Sequence, residues 1–332
     1  MKGAAATLND LPTQRDARWS HRLAVVLFAC VCPLVFVGAG VTSKDAGMVF
    51  HDAPTSDGYW FNPPGWFGND HKRWEHGHRL LGYTVGIASL AAVAGAWHHR
   101  RRTLGTEREP VGRLHLALAL VVLIAICIQG SLGRWRVNHA STGFAMLHGV
   151  WGQVCLALSA LLMLVTSRTW GRGLAAARQS DTVGDGRLLQ RIGLATMASV
   201  LAQQIAGVVL RHSGTGLAMH LFGAVIVVCL AAWLSMWVIG RFPTGSLPNT
   251  LGRIVLVLVT VQLFLGVGAY VATQIPGFGG GEPWGRTVAW LLPSLHVLVG
   301  ALLLAATVGL SVSLPRTLRE LPNVARAEVV PA

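Results

Sequence analysis

Eight long apolar runs dominate the sequence and limit what it can fold into. A helix needs about 20 apolar residues to cross a hydrocarbon core of about 30 Å, because lipid offers no partner to unpaired backbone N–H and C=O groups. Eight segments reach that length. We therefore predict an all-α membrane protein whose eight spans are residues 23–41, 78–97, 114–132, 147–166, 192–210, 217–239, 254–272 and 288–310.

The composition excludes a soluble globule. Apolar residues make up 52% of the chain and charged residues only 12%, with a mean hydropathy of +0.52. A soluble domain carries roughly 25% charged residues. The net charge of +13 comes mainly from Lys and Arg outside the apolar runs. This distribution is typical of membrane topology and does not indicate a nucleic-acid partner.

The basic residues predict the orientation of the chain. Of the 27 Lys and Arg residues, 19 lie in the two tails and the loops on their side, and 8 lie in the loops on the other side. Because basic residues are retained on the cytoplasmic face, both termini should be cytoplasmic. All even-numbered spans should then begin at the outer face.

Repeated phrases divide the chain into two similar halves. The third and seventh spans carry the same Gln-xxx-Gly phrase, at Gln129 and Gln262, and the even-numbered spans open with a matched histidine. Because each half has an even number of spans, the repeat should be parallel, giving two pseudo-symmetric four-helix bundles. We predict a cytoplasmic tail at 1–22, bundles at 23–166 and 192–310, a basic linker at 167–191 and a second cytoplasmic tail at 311–332.

The matched histidines indicate the chemistry. They form one pair in each half, and each should lie in the first turn or two of its helix: His78, His148, His220 and His296. Ionisable groups inside a membrane are by default functional candidates. Two imidazoles facing across a four-helix bundle can ligate a haem iron from both sides. Interfacial histidines bonded to backbone are one alternative, and zinc or copper, which would need a third ligand in each half, is another.

A carboxylate distinguishes the first pair from the second. Glu75 stands three residues before His78 and so shares its helix face, whereas Leu217 holds the equivalent position before His220. This asymmetry indicates that the first half performs a reaction while the second holds a haem or relays electrons. The alternative is an ion pair between Glu75 and Arg79 at the outer face.

Together these motifs resemble the haem A synthase family of cytochrome oxidase assembly. The Glu-x-x-His-Arg phrase at Glu75, the histidine that opens each even span, the Gln-xxx-Gly phrases and the segment 211–218 carry the resemblance over residues 23–310. The first outer loop, with Val-Thr-Ser at 41–43 and Pro-Thr-Ser-Asp-Gly at 54–58, is similar to bacterial members.

The resemblance implies an oxidoreductase of the bacterial inner membrane that oxidises the C8 methyl group of haem O to the formyl group of haem A by successive hydroxylations. His78 and His148 would bracket the substrate haem, Glu75 would take part in the oxidation, and His220 with His296 would hold a permanent haem b. Partners would be haem O synthase and an unidentified electron donor. Two family features are absent from the sequence: a pair of cysteines in an outer loop, and the acidic and aromatic phrase before the histidine of the sixth span.

Other functions and contacts stay open at this stage. A dihaem cytochrome b that only transfers electrons is the main alternative, although such relays usually place haems at two depths. A transporter would show broken helices at the midplane. The aromatic first outer loop could cover a porphyrin or form an interfacial belt. Four arginines at the predicted outer face could pair with haem propionates: Arg79, Arg134, Arg136 and Arg211.

Overall fold

The computed structural model of the chain describes residues 12–170, 186–275 and 282–319. These residues form eight long helices and no β-strand, and each helix is long and apolar enough to cross a membrane. In chain order they are α1 (Pro12–Ser43), α2 (Asp70–Thr103), α3 (Glu109–Asn138), α4 (Thr142–Thr166), α5 (Gly186–Ser213), α6 (Leu217–Arg241), α7 (Leu247–Gln274) and α8 (Pro283–Arg319). The prediction of an all-α protein with eight spans is confirmed.

Every predicted span lies inside one helix, but most helices are longer than the apolar run that revealed them. Residues 12–22 and 311–319, predicted as tails, continue α1 and α8 as helix. The rest of both predicted tails, and residues 171–185 of the predicted linker, lie outside the described residues. A helix satisfies its own backbone hydrogen bonds, so it can continue through polar residues beyond the apolar run. Hydropathy therefore marks only the part of each helix that suits lipid.

The extra turns change where two of the paired histidines stand in their helices. His220 lies in the first turn of α6, as predicted, whereas α2 begins at Asp70 and α8 at Pro283, well before His78 and His296. The prediction that every histidine stands in the first turn or two is therefore wrong for these two helices. In α2 the polar first turns lie outside the predicted span 78–97, whereas His296 is already the ninth residue of the predicted span 288–310.

Side-chain caps fix where several helices begin. The side chains of Asn69, Ser141 and Ser246 accept hydrogen bonds from the backbone N–H groups of Lys72, Phe144 and Asn249, at the starts of α2, α4 and α7. Such caps satisfy donors that have no partner within the helix. The histidine-bearing helices α2 and α4 therefore begin at defined residues after loops.

Each group of four consecutive helices closes on itself. Helix α1 contacts α2 and α4, and α3 contacts α2 and α4; helices α5 to α8 make the corresponding contacts. Between the two groups, α8 packs against both α1 and α4, and α4 also contacts α5. Arg211 of α5 donates to the Ala39 carbonyl and to Ser43 Oγ of α1, each at 2.6 Å. Ser43 Oγ in turn lies 3.1 Å from Ser294 Oγ of α8. The two groups are therefore joined by polar contacts as well as by apolar packing. The symmetry axis between them stays a prediction.

Candidate functional site

The structure brings the four predicted histidines together as two facing pairs. The ring centroids of His78 and His148 are 6.2 Å apart, with ring planes at 83°. Those of His220 and His296 are 6.3 Å apart, with ring planes at 71°. The first pair joins α2 to α4 and the second joins α6 to α8. Two sites of nearly equal dimensions thus lie in the two halves of the chain.

Each of these imidazoles lies on a glycine of the helix that precedes its own. A Cβ built on that glycine would stand 2.8–3.0 Å from the imidazole Cε1 atom, tighter than most real Cβ contacts in all four cases: Gly38 under His78, Gly133 under His148, Gly207 under His220 and Gly266 under His296. Any larger residue would push the ring away. The glycines therefore let the odd-numbered helices approach closely and leave room for the rings.

Glutamine amides accompany three of the four rings. Each glutamine stands four residues before the glycine and places its Nε2 atom 3.1–3.4 Å from an imidazole nitrogen: Gln129 beside His148, Gln203 beside His220 and Gln262 beside His296. Gln129 and Gln262 were predicted from the repeated phrase, whereas Gln203 was not, although the same Gln-xxx-Gly phrase is present at 203–207.

A cavity of about 330 Å³ surrounds the first pair. His78, His148 and Glu75 line it, together with small and apolar residues of α1, α3 and α4. Ala53 and Pro54 of the loop between α1 and α2 close part of its wall. The predicted catalytic carboxylate and the first histidine pair therefore share one chamber.

Glu75 is buried, with 4% of its surface exposed, and both of its carboxyl oxygens accept hydrogen bonds. Its Oε2 accepts hydrogen bonds from the backbone N–H groups of Val49 (2.7 Å) and Phe50 (3.2 Å). Its Oε1 accepts from Arg79 Nη2 at 2.6 Å. The ion pair considered from the sequence is thus present, but it is buried and lies beside the cavity. The pairing and a role in the cavity are therefore compatible.

The loop between α1 and α2 is attached to α2 by side chains that the sequence analysis did not single out. The imidazole of His76, which is fully buried, lies 2.9 Å from both Ser56 Oγ and the Phe61 carbonyl oxygen. Trp66 contacts the same ring edge-on, with the two ring centroids 4.8 Å apart. Because Glu75 and His76 are adjacent, one turn of α2 holds two parts of this loop.

Asp52 organises the loop internally. Its carboxylate accepts hydrogen bonds from Thr55 Oγ1 at 2.5 Å and from the backbone N–H groups of Asp57 and Gly58 at 2.7 and 3.0 Å. Burial raises the pKa of Asp52, but these hydrogen bonds outweigh burial and hold the pKa below its usual value. The loop is therefore built around a charged carboxylate at neutral pH.

All four predicted propionate arginines line the cavity, but they differ in their partners. Arg79 donates to the carbonyls of Asp52 and Thr55 as well as to Glu75, and Arg211 donates to Ala39 and Ser43. Among the described residues, the side chains of Arg134 and Arg136 have no hydrogen-bond or ion-pair partner, although the charges of Glu75 and Asp45 act on Arg136. Arg134 and Arg136 are therefore the better candidates for an anionic ligand group.

The dimensions of the pairs fit a haem better than a directly bound metal ion. Among the described residues, no group of three or more His, Cys, Asp or Glu side chains could hold a metal ion, whereas zinc and copper need at least three protein ligands. A porphyrin supplies four nitrogens and needs only axial ligands. Two metal–nitrogen bonds of about 2.0–2.1 Å, together with the distance from nitrogen to ring centre in each imidazole, place the two imidazole centroids roughly 6 Å apart. The observed separations agree with that value.

The chain is similar to the curated protein "Heme A synthase" of Rhodopseudomonas palustris (strain HaA2), with 32% identity over 165 residues. The alignment covers 46% of this chain and 42% of the relative, so the chain matches less than half of that protein's length. No protein-family model matches the chain, and no solved structure matches it significantly.

Proposed function

We propose that this protein is a haem A synthase, an enzyme that oxidises the C8 methyl group of haem O to a formyl group for cytochrome oxidase assembly. The observation that carries the proposal is the shared chamber of Glu75, His78 and His148, beside a second facing histidine pair, His220 and His296. The similarity to a protein of that name supports it. In this proposal the first pair binds haem O and the second pair holds a resident haem b.

A bound haem b would supply one-electron redox chemistry close to the reacting haem. The residues of this chain would bind, orient and exclude water. His78 and His148 would hold the substrate by its iron, and the glycines beneath them would fix their positions. Glu75, whose oxygens accept hydrogen bonds from Arg79 and two backbone amides, would stabilise positive charge at the carbon being oxidised or accept a proton from it. The loop 44–69 would shield the chamber from water.

We further propose that the protein resides in the inner membrane of a bacterium with both termini in the cytoplasm. Haem O synthase would deliver the substrate, and a separate redox partner would exchange electrons with the haem b. The outer end of the second half would be the point of contact for that partner, because His220 stands in the first turn of α6.

The decisive experiment is extraction of the haems from the purified protein, followed by chromatography. Haem b together with haem O, haem A or the alcohol intermediate is the expected result. Haem b alone would contradict the synthase and support a dihaem electron carrier, and no haem would contradict both. Replacing His220 or His296 with Ala should remove haem b selectively, because each change deletes one of the two imidazoles that would hold it. Normal haem b content in both variants would exclude the second site.

A further inference from the structure

Close helix contacts bound two sides of the cavity around the first histidine pair. Helix α1 meets α2 with Gly38 against the ring of His78, and α3 meets α4 with Gly133 against the ring of His148. A Cβ on these two glycines would stand 2.8 and 2.9 Å from the imidazole Cε1 atoms. Such distances leave no space between the helices of either pair, so the cavity is closed between α1 and α2 and between α3 and α4.

Other segments cover the cavity between α1 and α4 and on its loop side. Helix α8 packs against both α1 and α4, and Val208 and Arg211 of α5 line the cavity together with Val297 of α8. On the loop side, the hydroxyl of Tyr83 donates to the Pro54 carbonyl oxygen at 2.7 Å, and both residues line the cavity. The second half of the chain and the loop 44–69 therefore close these two directions.

The remaining side, between α2 and α3, is open beside the histidine pair. At the other end of these helices the contact is close, because the rings of His99 and His115 stack with centroids 5.1 Å apart. Gly82 of α2 and Gly130 of α3 line the cavity, and nothing lies within 4 Å of either Cβ position. Gly130 is also exposed. The two helices thus meet at one end and leave a gap from the cavity to the protein surface at the other.

The sequence of the second half differs at this point. In α3 the residue after Gln129 is Gly130, whereas in α7 the residue after Gln262 is Leu263. A leucine has a side chain that would occupy the space beside Gly130. The open position therefore belongs to the half of the chain that carries Glu75.

We propose that the gap between α2 and α3 is a lateral port through which the isoprenoid tail of haem O extends from the cavity into the surrounding lipid. This inference rests on the proposed function, which assigns haem O to His78 and His148. Haem O carries a long apolar isoprenoid chain where haem b carries a vinyl group. Such a chain needs an apolar environment, because its exposure to water is unfavourable. Val85 and Ile126 line the cavity beside the gap, so the path from the cavity to the lipid is apolar.

The test is competition between two haems that differ in the tail. Purified full-length protein in lipid nanodiscs is incubated with equal amounts of haem O and haem b, and the bound haems are extracted and separated by chromatography. The amount lost in His78→Ala defines the first site. Gly130→Leu should lower the ratio of haem O to haem b at this site by about 10-fold or more, because leucine fills a space that only the tail needs. Partial unfolding lowers the content of both haems and leaves their ratio unchanged.

Gly240→Leu is the matched control. Nothing lies within 4 Å of the Gly240 Cβ position, and Gly240 lies in α6 and does not line the cavity. This variant should keep the wild-type ratio of the two haems.

Cysteine labelling tests the port without blocking it. Gly130→Cys is combined with Cys127→Ser, because Cys127 is exposed one turn away. Haem O should protect the new thiol at position 130 from N-ethylmaleimide, whereas haem b should leave it reactive, and mass spectrometry of the peptide measures the modification.

The inference is overturned if Gly130→Leu leaves the ratio of the two haems unchanged, or if haem O and haem b protect the thiol equally. Failure of the proposed function has a different signature. A wild-type first site that takes up haem b but no haem O refutes the synthase, whatever the variants at position 130 do.

Discussion

The substitution Glu75→Gln separates a catalytic carboxylate from a structural one. It removes the charge and keeps the size of the side chain. Glu75 accepts three hydrogen bonds, two from the backbone of the loop 44–69 and one from Arg79. An amide can accept some of these bonds, but its NH₂ group must then face a donor. The change therefore perturbs both the loop and the ion pair.

The structure sets the size of the expected loss of stability. The Glu75 and Arg79 side chains are only 5% and 11% exposed, so the pair is not a surface pair worth about 1 kcal/mol or less. Removing one partner of a buried pair typically costs about 3–5 kcal/mol. Arg79 keeps the carbonyls of Asp52 and Thr55 as acceptors. We therefore expect a cost near the lower end, about 3 kcal/mol, in the free energy of unfolding.

A double-mutant cycle with Arg79→Gln supplies the control. Arg79→Gln breaks the same ion pair but leaves the carboxylate beside the cavity. If Glu75 acts on the substrate, membranes supplied with haem O should accumulate haem O or the alcohol in Glu75→Gln, whereas Arg79→Gln, which keeps the carboxylate but removes its partner, should form haem A at a reduced rate. Both variants should retain haem b, because neither residue touches the second pair. The coupling between the two substitutions measures the pair itself.

Two results would refute this reasoning. Near-normal haem A in Glu75→Gln would show that the charge is not needed for the oxidation. An equal block in both variants, with equal loss of stability, would show that the ion pair acts only by holding the loop over the cavity.

Three further predictions follow from individual contacts. Gly133→Ala should displace the His148 ring and lower haem content at the first site, because its Cβ would stand 2.9 Å from Cε1. Gly86→Ala is the control, because nothing lies within 4 Å of that Cβ position and Gly86 does not line the cavity; haem content per protein and the low-spin spectrum measure this, and equal losses would contradict it. The 19-to-8 distribution of basic residues predicts that a reporter fused after residue 310 is active on the cytoplasmic side and that one inserted at 59–67 is active on the outer side. The opposite result would overturn the topology. Asp52→Asn should lower the stability of the loop 44–69 at neutral pH. This difference in stability should be present above the usual pKa of about 3.9 and fade as the pH falls through the lower folded pKa. Tryptophan fluorescence of the two proteins across pH tests this prediction, and a pH-independent difference would argue against a charged Asp52.

Several features of the protein follow from the sequence alone. Lipid imposes a length and a hydropathy on each span, so eight runs of about 20 apolar residues predicted eight helices before any packing was known. The repeated phrases predicted which histidines would form pairs, and the structure brings His78 to His148 and His220 to His296 at 6.2 and 6.3 Å. These predictions succeed because helical periodicity and repetition are local properties of the chain.

Other features depend on contacts between distant segments, and only the tertiary structure decides them. The burial of the Glu75–Arg79 pair depends on the loop 44–69 folding back over α2, and hydropathy cannot show whether a charged pair faces water or a cavity. The same holds for His76, an unremarkable residue in the sequence that proves to be fully buried against Ser56 and Phe61. The Gln-xxx-Gly phrases were present in the sequence, but they acquire a role only because each odd-numbered helix packs against the next with its glycine under a histidine ring. A residue's role at such a site is set by what the neighbouring helix places beside it, and that neighbour lies up to tens of residues away along the chain.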